Sequence, residues 1–401
     1  MLDRSLALLR EGYLFILRRR KRARTDAFTT RLMLKKTVCM GGTEAARLFY
    51  DAEHFQRAEA VPGFVQNTLF GRNAVQTKDG PEHLRRKVLF MRLTDEAQTQ
   101  RFADLLTHEW KNALIRWKYA NRPVILFKES QEIICHAICA WAGIPMSDGE
   151  ARSHSRDIFA MIDAFGSVIG PRHWRGLFAR RRAEKWMIEL IEKARKDTRS
   201  LLPIHIVAHH RNLDGTLLDA KMAAIEMLNI IRPTVAISYY ISFAAVALHE
   251  HPECRDKLCK QENYAEMFIN EVRRYYPFAP FLGARAKKEF SFKECPFAKN
   301  ELAVLDLYGT NHDDKIWEQP EEFRPERFLD WRDNGYELIP QGGGEAASGH
   351  RCPGEGFTIA ALKVTLSMLA PLRYTVPPQD LGFSLSRMPT YPRSGVAIRL
   401  V

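Results

Sequence analysis

No two cysteines of this 401-residue chain are spaced as a zinc knuckle or a CxxC redox pair. The seven cysteines, at positions 39, 135, 139, 254, 259, 295 and 352, are also odd in number. A disulfide scaffold is therefore excluded, and a reducing, cytoplasmic compartment is expected. The longest interior run without a charge, Pro233–Leu248, has 16 residues, short of the ~20 needed to cross a bilayer. A signal peptide is not expected, because the apolar stretch Leu6–Leu17 precedes the basic run Arg18–Arg24 instead of following one. The histidines at 205, 209 and 210 have no HExxH and no nearby cysteine, so they read as ordinary surface rather than a zinc site. Gly354-Glu-Gly356 follows no strand and lacks a third glycine, which excludes a dinucleotide loop. Internal repeats and low-complexity segments are absent too.

The composition that remains is globular, with 46% hydrophobic and 27% charged residues. Lys and Arg number 60 against 48 Asp and Glu, a net charge of +12. Residues 1–36 hold 11 basic and 3 acidic side chains, or +8, which leaves only +4 for the rest. That is no nucleic-acid footprint. The basic run Arg18–Arg24 reads chiefly as a solvated, partly helical charge run, with a weak contact to a membrane surface as its functional reading. Apolar residues at helical spacing predict helices over Arg101–Tyr119, Glu129–Trp141, Arg180–Arg195, Lys221–His251, Tyr264–Tyr276 and Gly356–Leu369. Short alternating pieces between Phe281 and Tyr308 predict strands. Residues 311–349, rich in Pro, Asp, Glu and Gly, predict a long ordered loop, and such loops usually carry function. The expected class is mainly α with a smaller β part, in one domain over residues 1–401 with no fused reductase.

Three features carry chemistry together. Glu271 and Arg274 lie at i, i+3 on one helix face, and Pro325-Glu-Arg327-Phe328 follows about fifty residues later, with Arg327 able to join them. Second, Ser348-Gly-His-Arg-Cys352-Pro-Gly-Glu-Gly-Phe357 sets a cysteine at a loop-to-helix junction, where unpaired N–H groups favour a thiolate. Gly349 and Gly354 let backbone approach a flat ligand, and His350 and Arg351 offer positive charge to carboxylates. Third, the long apolar helix holds Arg232 followed by Pro233. An unpaired guanidinium among apolar neighbours is costly, and proline interrupts the hydrogen-bond ladder.

This order of motifs resembles the cytochrome P-450 superfamily over essentially the whole chain. The resemblance implies a helical domain with a small β region, and haem b (heme b) whose iron is bound by the Cys352 thiolate. It also implies Glu271, Arg274 and Arg327 as the structural network behind the haem. Where the usual haem loop has Phe seven residues before the cysteine and Gly four before, this chain has Glu345 and Ser348. That enlarged loop resembles the bacterial fatty-acid peroxygenase branch and implies no obligatory redox partner. The helix lacks the acid–alcohol pair of ordinary monooxygenases, and its Arg232-Pro233 is similar to that branch's carboxylate anchor.

The same resemblance implies the rest of the site. Phe70 and Val75 would be apolar walls and Gln76 a polar group over the iron, with Arg232, Pro233 and Gln76 as the catalytic set. His83, Arg86, Lys87 and, more remotely, Arg57 would join His350 and Arg351 around the haem propionates. Phe278 would bound the acyl channel, with Phe165 and Val168 lining it. The implied activity is hydrogen-peroxide-dependent hydroxylation of long-chain fatty acids at Cα or Cβ, with minor decarboxylation to a terminal alkene. Branch members with marked decarboxylase activity tend to have His at the place of Gln76. A reductase-dependent monooxygenase of the same fold and a non-catalytic haem or fatty-acid binding protein are the alternatives.

Overall fold

Residues 2–120 and 122–401 are described by a computed structural model. Its centre is an apolar helix pair, Ala220–Val235 and Ile237–Glu250, almost wholly buried. Asp219 opens the pair by accepting from the Met222 N–H at 2.8 Å. The helix Leu126–Ala142 packs along both members; Pro171–Ala194 packs on the first, and Glu355–Leu369 and Tyr264–Tyr275 on the second. Long and apolar enough to span a membrane, the pair is instead the core of the molecule, 94% buried in its apolar window.

The predicted helix Lys221–His251 is thus two helices. Proline at 233 leaves the Asn229 carbonyl without its helical donor, and the ladder breaks at Ala236. The helix predicted from Arg180 begins at Pro171, behind Gly170. Another, Asp148–Asp163, was not expected, although Ser147 and Glu150 form a reciprocal capping box at its start.

A five-stranded sheet forms the smaller part, in the order Ala27–Leu32, Lys35–Met40, Leu302–Asp306, Phe281–Ala286, Phe55–Gln56. Its third strand runs parallel to the second and antiparallel to the fourth. The first hairpin went unseen in sequence because its turn is Met33-Leu34, both at positive φ, where Asn-Gly is the usual signal. As expected, residues 312–349 are mainly loop, with one short 3-10 turn at Pro325–Phe328.

Glu271 pins that loop. Arg274 Nε and Nη2 donate to Glu271 at 2.6 and 2.8 Å, and Arg327 Nε donates at 3.2 Å. Arg274 also donates to the carbonyls of Asn311, Pro320 and Glu322, at 3.0, 2.9 and 3.1 Å. Both Glu271 and Arg274 are fully buried. A buried ion pair tolerates this only when its remaining hydrogen bonds are met, as they are here.

Candidate active site

Cys352 lies three residues before the helix Glu355–Leu369. Burial and the Glu355 carboxylate push its thiol up, while the Gly354 N–H, Lys87 and Arg273 favour the thiolate. Gln341 Nε2 stands 3.9 Å from Sγ. A Cβ added at Gly354 would sit 3.9 Å from the same sulfur, in ordinary van der Waals contact. The loop before it folds on Tyr50: Gly342 has φ +92°, and a Cβ there would meet Tyr50 Oη at 2.7 Å. Beyond the glycines, Glu345 and Ser348 are exposed at the surface.

Beside the sulfur is a cluster of basic groups whose pKa values are lowered, so that they give up their protons more readily. The rings of His83 and His350 stack 4.0 Å apart. Burial and the neighbouring His350 and Lys87 bring His83 down to about 3. Burial brings Lys87 to about 8; its Nζ donates to the Arg351 carbonyl at 2.6 Å. Arg57 is buried over the ring of Phe49, 4.2 Å from its centroid, and burial lowers it as well. Asp79 is the carboxylate in contact with this group, 3.4 Å from His350 Nε2. So many basic groups beside one carboxylate make a site prepared for anions.

On the first central helix, within electrostatic reach of Cys352, Arg232 is 5% exposed. Its Nη2 donates to Asn229 Oδ1 at 2.9 Å, its Nε has no partner, and its guanidinium lies 5.4 Å from the centre of the Phe70 ring. Among the described residues no carboxylate lies within 4.0 Å of it. Burial and the nearby Arg180 pull it down to about 9. Thr234, two residues on, spends its hydroxyl on the Ile230 carbonyl at 2.8 Å. Facing this helix is the segment Gln66–Phe70, which turns at Gly71 (φ +86°) into Val75–Thr77. There Val75 is buried, and Gln76 Oε1 is buried without a partner.

Residues 244–380 match the cytochrome P-450 family model. Human cytochrome P-450 3A5 (Homo sapiens) is 30% identical over 170 residues, 37% of this chain and 33% of its own. Over the curated relatives it matches, the chain spans 24–47% of their length. Solved structures match throughout. Cytochrome P-450SP alpha (CYP152B1), in complex with (R)-ibuprophen, has a TM-score of 0.96 at 41% identity, covering 100% of this chain and 98% of that one. Cytochrome P-450EX alpha (CYP152N1), with myristic acid, has 0.95 at 39% identity, covering 100% and 97%. The chain belongs to the cytochrome P-450 superfamily. Within it, these neighbours are CYP152 enzymes, the fatty-acid peroxygenase branch, and the protein is an oxidoreductase.

The residues fit the haem of this superfamily. A sulfur disfavoured as a free thiolate gains from a bound cation, and the Arg57, His83, Lys87 and His350 cluster suits two propionates. Two of the expected partners are already engaged. Arg86 turns from the cluster to Glu226, 2.5 Å away, because that fully buried carboxylate needs a cation. Arg351 donates to Glu355 at 2.7 Å and Asp333 at 2.6 Å. Phe278 stacks on Tyr240 of the central pair, 4.4 Å between centroids. Phe165 packs against the inner clusters, whereas Val168 is 48% exposed and faces outward on its loop.

Sequence reading missed Glu226, Asn229 and Arg180. Arg180 Nη1 donates to the Leu69 carbonyl at 2.8 Å and so fixes the distal segment. Its only sequence signal was an arginine on the inner face of a helix.

Proposed function

We propose that this chain is a haem-thiolate peroxygenase that uses hydrogen peroxide to hydroxylate long-chain fatty acids at Cα or Cβ. The observation that carries the reading is Arg232, a buried guanidinium with one side-chain partner, an unpaired Nε and no carboxylate. A fatty-acid carboxylate supplies the missing anion, and the myristic acid of the P-450EX alpha structure supports that choice. Haem b, when bound, supplies the oxidising chemistry. The chain does the rest. Arg232 tethers the carboxylate, so the carbons beside it are the ones presented for reaction. The tethered carboxylate also serves as general acid–base towards peroxide, a task that Thr234 cannot take while bound to Ile230. Phe70, Val75 and Phe278 keep water from the acyl chain. Gln76 carries an amide that does not exchange a proton near neutral pH, which favours hydroxylation over decarboxylation.

Mass spectrometry of products from a saturated fatty acid and peroxide tests this. Hydroxy acids without any reductase are expected. Turnover with a ferredoxin pair but not with peroxide overturns it in favour of a reductase-dependent monooxygenase, and binding without product in favour of a carrier.

Weak contact with an anionic membrane through the basic run and its neighbours belongs to the same reading. In that run Arg20 is buried against Asp313, 2.7 Å away, while Arg18, Lys21, Arg22 and Arg24 are exposed. Leu2, Leu6, Leu9, Met33 and Leu34 are exposed. Asp3 and Ser5 receive the Leu34 and Met33 N–H groups at 2.7 Å each, which sets these residues side by side. Exposed Arg4, Arg10, Arg31, Lys35 and Lys36 surround them, complementary to anionic headgroups. Met33→Asn with Leu34→Gly suits the turn better and should abolish co-sedimentation with anionic vesicles. Unchanged sedimentation overturns the contact. The seven unpaired cysteines support a cytoplasmic setting.

A further inference from the structure

Arg232 is the end of a chain of side chains on its own helix. Glu226, Asn229 and Arg232 are spaced i, i+3, i+6, and Glu226 is completely buried. Glu226 Oε1 accepts from the Val75 N–H at 3.0 Å and from Arg86 Nη1 at 2.5 Å, and its Oε2 accepts from Asn229 Nδ2 at 3.3 Å. Asn229 Nδ2 also donates to the Phe70 carbonyl at 3.0 Å, while its Oδ1 receives Arg232 at 2.9 Å. An ionised carboxylate only accepts hydrogen bonds. Facing Glu226 and the Phe70 carbonyl, the Asn229 amide must present its NH2 end to both, and its oxygen is left for the guanidinium.

We propose that Glu226 is a positioning residue for the carboxylate anchor: it fixes the polarity of the Asn229 amide, and thereby Arg232, while its bond to Val75 ties that anchor to the loop bearing Gln76. Arg86 is the counter-charge that keeps Glu226 ionised in a buried place. Substrate anchor and distal loop are therefore held by one carboxylate, and the register between them sets which carbon is attacked.

Glu226→Gln keeps the shape and reverses the polarity. With Oε1 still receiving Val75 and Arg86, the new NH2 faces Asn229, whose amide then turns its own NH2 towards Arg232. Donor meets donor. The dissociation constant for a long-chain fatty acid, read calorimetrically, should rise about tenfold, roughly 1.4 kcal/mol. Binding of a fatty alcohol of equal length should not change, turnover should fall, and the ratio of 2- to 3-hydroxy acid should shift. Because the single variant leaves Arg86 without a counter-charge, Arg86→Gln with Glu226→Gln is the control. It should regain thermal stability but not acid affinity or product ratio.

The inference rests on Arg232 as the fatty-acid anchor, and the two claims fail differently. Parental fatty-acid affinity in Arg232→Ala overturns the anchor itself. Loss of affinity there, with parental affinity and product ratio in the double variant, overturns the role of Glu226.

Discussion

Cys352 and Gln76 have separate parts in the proposed function, and each can be tested alone. Cys352→Ala should remove the red-shifted Soret band of the reduced, carbon-monoxide-bound protein. Single Ala changes at the other six cysteines, all unpaired, should keep it. If the Cys352 variant retains the band, another residue ligates the iron. At position 76 the parent should yield mainly 2- and 3-hydroxy acids. Gln76→His, which can exchange a proton near neutral pH, should raise the share of 1-alkene several-fold at fixed peroxide. An unchanged ratio would show that substrate position alone decides. What was legible in sequence at this scale was local: a cysteine opening a helix, an arginine before a proline in an apolar run. Partners distant in sequence were not. Arg86 looked like a propionate ligand because Glu226, 140 positions away, leaves no mark near it. Arg351 likewise met Asp333 only in three dimensions.

Among the elements, the interrupted central helix and the loop behind the haem determine the site. Glu271 receives four hydrogen bonds, two from Arg274 and one each from Arg327 and the Arg324 N–H. Removing one member leaves the others charged and buried. Glu271→Ala should therefore cost about 3–5 kcal/mol, measured as lost folded, haem-loaded protein; a parental melting temperature would contradict this. A second cluster joins the N-terminal helix Leu14–Ala23 to the strand end at Asp306. Arg20 lies 2.7 Å from Asp313, 3.6 Å from Asp26 and 3.9 Å from Asp306. Burial lifts Asp306 from 3.8 to about 7, against the pull of Arg20 and the Gly309 N–H. The folded state then holds a proton that the unfolded chain releases near pH 4. Stability from this group is complete below about pH 4 and is lost as pH rises through 7. Asp306→Asn keeps an oxygen for Gly309 and cannot ionise. Its stability should gain on the parent by on the order of 1 kcal/mol between pH 5 and pH 8, and parallel melting curves would refute the assignment. The helix Asp148–Asp163 had a readable signal in Ser147 and Glu150, whereas the hairpin turn at Met33-Leu34 had none.

For the whole molecule, the fold brings a sulfur, a cluster of basic groups and one buried arginine within electrostatic reach of one another from segments spread over the chain. Sequence showed the class and the motif order because helices in the core are long and periodic. It could not show Val168 facing outward, since an apolar side chain on a short loop carries no direction of its own. The central claim is that Arg232 supplies both affinity and chemistry by holding the substrate carboxylate. The decisive measurement is peroxide-driven turnover of a saturated long-chain fatty acid by Arg232→Ala, alongside its carbon-monoxide spectrum. The account predicts an intact haem-thiolate band and activity reduced to near background, whereas in the parent a short carboxylic acid held by Arg232 should support peroxide use on substrates that lack a carboxylate. Full activity in that variant, with the same 2- and 3-hydroxy products, would contradict it.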